Sequence, residues 1–208
     1  MIAVQRWVLA QAAALLVMTM AFAMASSASA ETATAFMQRA SNELIAANRS
    51  RSPMAFATAL RKYSDLPGIG LTSLGDYANG LPRSDRPLYY NGIVNFISRY
   101  TANESAKYTV DRASILGVGE EDANGASVET RIWLRSGESY DVRWKLLRSG
   151  ASFKIRDAQV LGFWMTPFLA DLFQKYIAEN GGSSKALIMA LNRYGGGSAG
   201  TADASTAR

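Results

Sequence analysis

Apolar residues return every three or four positions through the first half of the chain, and every second position through the stretch that follows. Between Glu31 and Asn48 the apolar positions Phe36, Ala40, Leu44 and Ala47 share one face of a 3.6-residue period, which predicts an amphipathic helix. Ser52-Pro53 reads as an N-cap followed by proline at the first helical position, opening a second helix whose face carries Phe56, Leu60 and Tyr63. Asp65-Leu66-Pro67-Gly68-Ile69-Gly70 is a cluster of helix breakers, so a turn is expected there, then a short helix over Leu71 to Ala78 ended by Asn79-Gly80. Ser84-Asp85 starts the next helix, with Tyr89, Ile93, Phe96, Ile97 and Tyr100 on one face. Pro87 falls within its first turn, and Gly92 either weakens the helix or marks a close approach.

From Tyr108 the period changes to two. Tyr108 to Val118 is read as a first strand, turning at Asp122 to Gly125. Val128, Thr130, Ile132 and Leu134 alternate with Glu129, Arg131, Trp133 and Arg135. After the hairpin-length link Ser136-Gly137-Glu138, Tyr140, Val142, Trp144 and Leu146 alternate with Asp141, Arg143 and Lys145. Ser149-Gly150 separates these from a last run, Phe153 to Leu161. The result is a four-stranded antiparallel meander with one buried face. Thr166-Pro167 then reopens a helix bearing Phe168, Leu169, Leu172, Phe173, Tyr176 and Ile177, which stops at Asn180-Gly181-Gly182. Ser184 caps a final helix with Leu187, Ile188 and Leu191. Helices, a meander and a returning helix make an α+β architecture, a curved sheet closed on one side by helices. The mouth of such a cone is a natural ligand site.

Both ends of the chain have a different character. Arg6 followed by the apolar run Trp7 to Ala25 and by Ala28-Ser29-Ala30 has the layout of an export signal, with cleavage expected before Glu31 and the periplasm as destination. An uncleaved membrane anchor is the alternative, since the run approaches the roughly 20 residues of a spanning helix. From Gly195 the chain is Gly, Ser, Ala and Thr, which reads as a disordered tail. The expected organisation is thus a signal at 1–30, one domain at 31–194 and a tail at 195–208.

Composition narrows the chemistry. The chain has neither Cys nor His, which excludes a disulfide framework, a thiol nucleophile, a Ser-His-Asp triad and a conventional zinc site; no cofactor is called for. Without residues 1–30 there remain 21 basic and 17 acidic side chains, a net charge of +4. That mild bias is spread along the chain and does not argue for nucleic acid as a partner.

Phe153-Lys154-Ile155-Arg156-Asp157, then Gly162, Phe173, Asn180-Gly181-Gly182 and Leu187 to Leu191 resemble the toluene-tolerance/MlaC family, periplasmic lipid-binding proteins of phospholipid transport systems. Leu74-Gly75-Asp76-Tyr77 and the helix from Ser84 to Tyr100 resemble the family's central segment, so the likeness covers most of residues 31 to 194, with its weight in order and spacing. The match is near a hopanoid-associated branch. The resemblance implies a nuclear-transport-factor-like sheet packed with helices around a deep apolar pocket that takes acyl tails. It further implies a shuttle between an inner-membrane ABC transporter with its MCE-domain ring and an outer-membrane lipoprotein complex. Where the family often carries Ser and Arg, this chain has Phe163-Trp164-Met165-Thr166-Pro167-Phe168, so headgroup preference and partner contacts through that stretch do not carry over.

A two-tailed lipid exposes about 30 methylenes at roughly 0.8 kcal/mol each, so leaving a bilayer for water costs on the order of 25 kcal/mol. A carrier must offset this with surplus inward apolar surface rather than with catalytic groups. The candidate lining residues on predicted inward faces are Tyr89, Ile93, Phe96, Ile97, Tyr100, Ile132, Tyr140, Val142, Trp144, Phe153 and Phe173. The same stripes also fit a filled α+β core, which would make the protein an interaction module. Phe163-Trp164-Met165 reads either as core packing at a strand-to-helix junction or as a lip of the pocket or a membrane-touching edge. Asp157 shares strand phase with Phe153 and Ile155 and points inward unless a bulge intervenes. It is either the general base of a small enzyme on this cone-shaped fold, or a structural carboxylate paired with an Arg such as Arg143 or satisfied by backbone N–H groups. With no second acid to set beside it, a carrier is the favoured reading over an enzyme.

Overall fold

A computed structural model describes residues 30–193; the expected signal and tail lie outside them. Six α-helices and five strands occur among the described residues. Helix α1 is Ala33–Ser50, α2 is Pro53–Tyr63 and α3 is Leu66–Leu74, with a 3₁₀ turn over Gly75–Gly80 leading to α4, Arg86–Glu104. Strands β1 (Val110–Glu121), β2 (Gly125–Leu134), β3 (Ser139–Ser149), β4 (Ser152–Val160) and the short β5 (Phe163–Trp164) form one antiparallel meander in chain order. Helices α5 (Met165–Glu179) and α6 (Ser184–Arg193) complete the chain.

The local signals account for most boundaries. The Ser52 hydroxyl accepts the Ala55 N–H at 3.1 Å with Pro53 behind it, and Gly182 N–H closes α5 on the Ile177 carbonyl at 2.9 Å with Gly181 and Gly182 both at positive φ. In the first turn of the meander, one Asp122 carboxylate oxygen accepts the N–H groups of Asn124 and Gly125 at 2.7 and 2.9 Å. Ser183, not Ser184, caps α6 by accepting the Ala186 N–H at 3.3 Å.

Two regions differ from the sequence reading. The breaker cluster does not turn the chain. It forms the first turns of α3, where Asp65 caps by accepting the Gly68 N–H at 3.2 Å and proline sits early enough to lose no bond. Its glycines answer to neighbours instead: the Arg156 guanidinium fills the space a Gly68 Cβ would need, and Gly70 lies against Tyr89, Tyr90 and Ile93. The helix expected at Leu71 to Ala78 is therefore the end of α3 plus the 3₁₀ turn. The sheet also has a fifth strand, because Phe163 and Trp164 fold back to pair with Val160 and Gln159.

The buried side chains fall into two main cores. On the sheet side, Phe36, Met37 and Ala40 of α1 and Ala59 and Tyr63 of α2 pack on Val128, Leu146, Phe153 and Ile155. On the helical side, Leu74, Tyr89, Ile93, Leu169, Phe173, Ile177, Leu187, Ile188 and Leu191 pack among α3, α4, α5 and α6. Gly92 lets α4 approach α6: a Cβ there would lie 2.9 Å from the Leu191 Cβ. Each core closes on itself, and the space between them is the site.

The outer face of the sheet is a row of cross-strand pairs. Arg131 and Asp141 face each other in register and form a bidentate pair at 2.6 and 2.7 Å; Arg143, opposite Glu129, donates from two nitrogens to one Glu129 carboxylate oxygen at 2.9 and 2.6 Å. Arg112 stacks on Trp133 at 3.6 Å. These exposed pairs order the solvated face and contribute little stability.

Candidate functional site

Between the two cores lies a cavity of about 410 Å³. Leu44, Ala59, Leu60 and Tyr63 line it from α1 and α2, Phe96, Ile97 and Tyr100 from α4, Trp144, Ile155 and Ala158 from the sheet, and Met165, Phe168, Leu169 and Leu172 from α5. The chemistry is that of hydrocarbon, and the size is that of a ligand pocket. Among the described residues, no cluster of side chains could hold a metal and no helix is long and apolar enough to cross a membrane.

Several of the few polar groups in this wall have hydrogen bonds within the protein. The Trp144 indole N–H donates to the Thr130 hydroxyl at 2.9 Å, and the Thr101 hydroxyl donates to the Ile97 carbonyl at 2.8 Å. The Tyr63 hydroxyl donates to the Glu43 carboxylate at 2.6 Å, which leaves the edge of its ring for the cavity. Lys62, and secondly Tyr63, hold the Glu43 carboxyl below its usual range by hydrogen bonding to the charged form.

Asp157 is explained by a bulge. Lys145 faces Asp157 while Leu146 faces Ile155, so Arg156 is an extra residue on β4. It reverses the phase: Phe153 and Ile155 point to the core before it, and Ala158, opposite Trp144, after it. Arg156 turns outward to pair with Asp65. The Asp157 carboxylate stays at the cavity wall and accepts the N–H groups of Ala158 and Thr166, both at 2.9 Å. It is satisfied by backbone donors, one from the first turn of α5, and Arg143 is engaged with Glu129 instead.

Of the candidate lining residues, Phe96, Ile97, Tyr100 and Trp144 reach this cavity. Ile132 and Tyr140 line a second hollow of about 390 Å³, which also touches Tyr100. Tyr89, Ile93 and Phe173 lie in the helical core, Phe153 in the sheet-side core, and Val142 is buried in the sheet. Those five fill space instead of lining it, because their neighbours on the facing element close over them. Burial also pushes the Tyr89 hydroxyl well above the ordinary tyrosine range, while it donates to the Gly70 carbonyl at 2.9 Å. The α5 contributors Met165, Phe168, Leu169 and Leu172 were absent from the sequence candidates, although the Phe163-Trp164-Met165 cluster pointed to this corner. Phe163 is 71% exposed, Trp164 is half-buried under the Lys145 ammonium at 4.2 Å, and Met165 lines the cavity.

Residues 28–193 match the profile of the MlaC protein family, a span that includes every described residue. The chain belongs to the MlaC family. A solved structure of similar fold is that of a phospholipid-binding protein from Ralstonia solanacearum, in complex with a phospholipid. It is 14% identical to this chain and superposes with a TM-score of 0.65 over 79% of this chain and 97% of its own. At that identity the likeness is one of fold, an α+β antiparallel sheet with packed helices. No curated protein matches the chain significantly.

Proposed function

We propose that this MlaC-family chain is a periplasmic lipid carrier that holds phospholipid, or a hopanoid-type lipid, by its acyl part. In this reading it moves lipid between an inner-membrane ABC transporter with an MCE-domain protein and an outer-membrane lipoprotein complex. The observation that carries the reading is the 410 Å³ chamber whose Trp144, Thr101, Tyr63 and Asp157 polar groups are already bonded within the protein. A wall so largely apolar favours hydrocarbon over a polar substrate. Membership of the MlaC family and the phospholipid held by the Ralstonia protein of similar fold support the same ligand class.

Diffusion across an aqueous gap requires that residues 1–30 be removed. The Glu31 N–H donates to the Ala151 carbonyl at 2.8 Å, a bond that a terminal ammonium at Glu31 would keep. N-terminal sequencing of protein recovered from the periplasm is expected to begin at Glu31.

Native mass spectrometry of protein purified from the periplasm is expected to show one bound lipid. Ala158→Trp, which fills the first chamber from β4, should lower the lipid recovered at least tenfold while the fold is kept. Lipid-free wild-type protein that also takes up nothing from labelled vesicles would sink the proposal.

A further inference from the structure

The second hollow is walled by Ile132 and Leu134 of β2, Tyr140 of β3, and Val160 and Leu161 at the end of β4. Among the described residues, only Tyr100 and Thr101, adjacent on α4, line both it and the first chamber. Tyr100 is 55% exposed and stacks on Phe96, with ring centroids 6.4 Å apart and planes 19° from parallel. The Thr101 hydroxyl is tied to the Ile97 carbonyl. The partition is thus a short ridge that reaches the surface, with an apolar chamber on one side and on the other a mainly apolar hollow that the Glu104 carboxylate also borders.

Volume decides what this arrangement can hold. With a methylene taken as about the size of a water in the liquid, roughly 30 Å³, the first chamber of about 410 Å³ accepts about 14 methylenes. The second, of about 390 Å³, accepts about 13 by the same measure. Either one suits a single acyl chain. A diacyl lipid, with about 30 methylenes, matches the two together and overfills either alone.

Resting on the carrier reading above, we propose that the two hollows are one divided site, in which a diacyl lipid straddles Tyr100 with one chain in each chamber. The exposed Tyr100 ring lies under the glycerol region, where the chains part. Two polar side chains of the second chamber's wall, Asn48 and Ser105, are bonded within the protein. Asn48 donates to the Ser105 hydroxyl at 3.1 Å and the Tyr108 carbonyl at 3.0 Å and accepts the Val110 N–H at 2.7 Å, while the Ser105 hydroxyl donates to the Thr101 carbonyl at 2.7 Å. These groups need nothing from a ligand.

The test is native mass spectrometry of delipidated protein titrated with palmitate, with a one-chain lysophospholipid and with a diacyl phospholipid. The wild-type protein should take up to two palmitates but one diacyl lipid. Ile132→Trp fills the second chamber alone. It should keep one palmitate and its lysophospholipid affinity within twofold, and lose diacyl affinity at least tenfold. Val160→Trp, reaching the same space from β4, should behave alike, and retained one-chain binding shows that each variant is folded. Diacyl affinity unchanged in both variants overturns the divided site, because both chains would then share the first chamber. Equal loss of one-chain and diacyl lipid in both variants overturns it as well, since the chambers would not act separately. Wild-type protein that binds none of the three lipids counts against the carrier reading itself.

Discussion

The carboxylate of Asp157 accepts the backbone N–H of Thr166 at 2.9 Å, so a residue of β4 caps the helix that begins beside it. Trp164, at the N-cap position of α5, makes no side-chain cap of its own. The orphan donors of a first helical turn need such an acceptor. Asp157→Ala is therefore expected to lower stability by about 1 kcal/mol, as loss of a cap does. Asp157→Asn retains an acceptor oxygen and should lose less, and both variants should carry as much lipid as the wild type. Urea denaturation with lipid extraction measures the two effects separately. Loss of lipid from a stably folded Asp157→Asn would give this carboxylate a direct part in binding.

Trp144 and Trp133 lie on opposite faces of the sheet, Trp144 in the first chamber and Trp133 under the Arg112 guanidinium on the outer face. A phospholipid with brominated acyl chains should quench Trp144 strongly on binding. Trp144→Phe should remove most of the quenching, whereas Trp133→Phe should leave it nearly unchanged. The reverse pattern would place the chains on the wrong side of the sheet.

These contrasts show where the sequence was readable. Alternation from Val128 to Leu134 and from Tyr140 to Leu146 assigns the inward face of β2 and β3, because the pleat allows no other division of side chains. A bulge has no local signature, so the phase reversal at Arg156 was open beforehand as a condition and nothing more. Helical α3 was missed because Gly68 and Gly70 weaken a helix locally, while their reason, the Arg156 guanidinium and the Tyr89 ring, lies far along the chain. The stripe expected on α4 divides along its length. Tyr89 and Ile93 meet α3 and α6 in a closed core, while Phe96, Ile97 and the half-exposed Tyr100, one to three turns on, face an open chamber. Periodicity reports which side is buried and is blind to what stands opposite. Met165 and Leu172 escaped for the same reason, since an apolar helix face looks alike against lipid or protein.

Gly92 offers a test of the close approach between α4 and α6. Alanine is the better helix former by about 1 kcal/mol, so Gly92→Ala in an open helix would stabilise. Here the added Cβ would sit 2.9 Å from the Leu191 Cβ and from the Asn192 amide nitrogen. Leu191 is buried and its Cβ cannot swing away, so overpacking costs roughly 1–3 kcal/mol and outweighs the propensity gain. The expected result is a net loss of about 1 kcal/mol, read as a lower thermal midpoint. A midpoint raised by the substitution would mean that the two helices stand further apart.

Glu31 ties the start of α1 to the β3–β4 hairpin: its carboxylate accepts the Ser152 hydroxyl at 2.6 Å and pairs with Arg39. Burial pushes this carboxyl up, but the hydrogen bonds from Ser152 and Arg39 and the Arg39 charge outweigh it. The net effect holds it below the usual glutamate value of 4.5. A carboxyl that is more acidic folded than unfolded binds fewer protons in the native state, so its stabilising contribution is complete above that value. As pH falls through the lowered folded value, the proton enters and the contribution is lost. Stability measured by urea unfolding should accordingly decline on acidification below pH 4.5. Glu31→Gln should start lower at neutral pH and decline less steeply over the same window, because the substituted side chain has no proton to take up. An identical acid limb in the two proteins would show that the tie between Glu31, Arg39 and Ser152 contributes nothing to holding the helix on the hairpin.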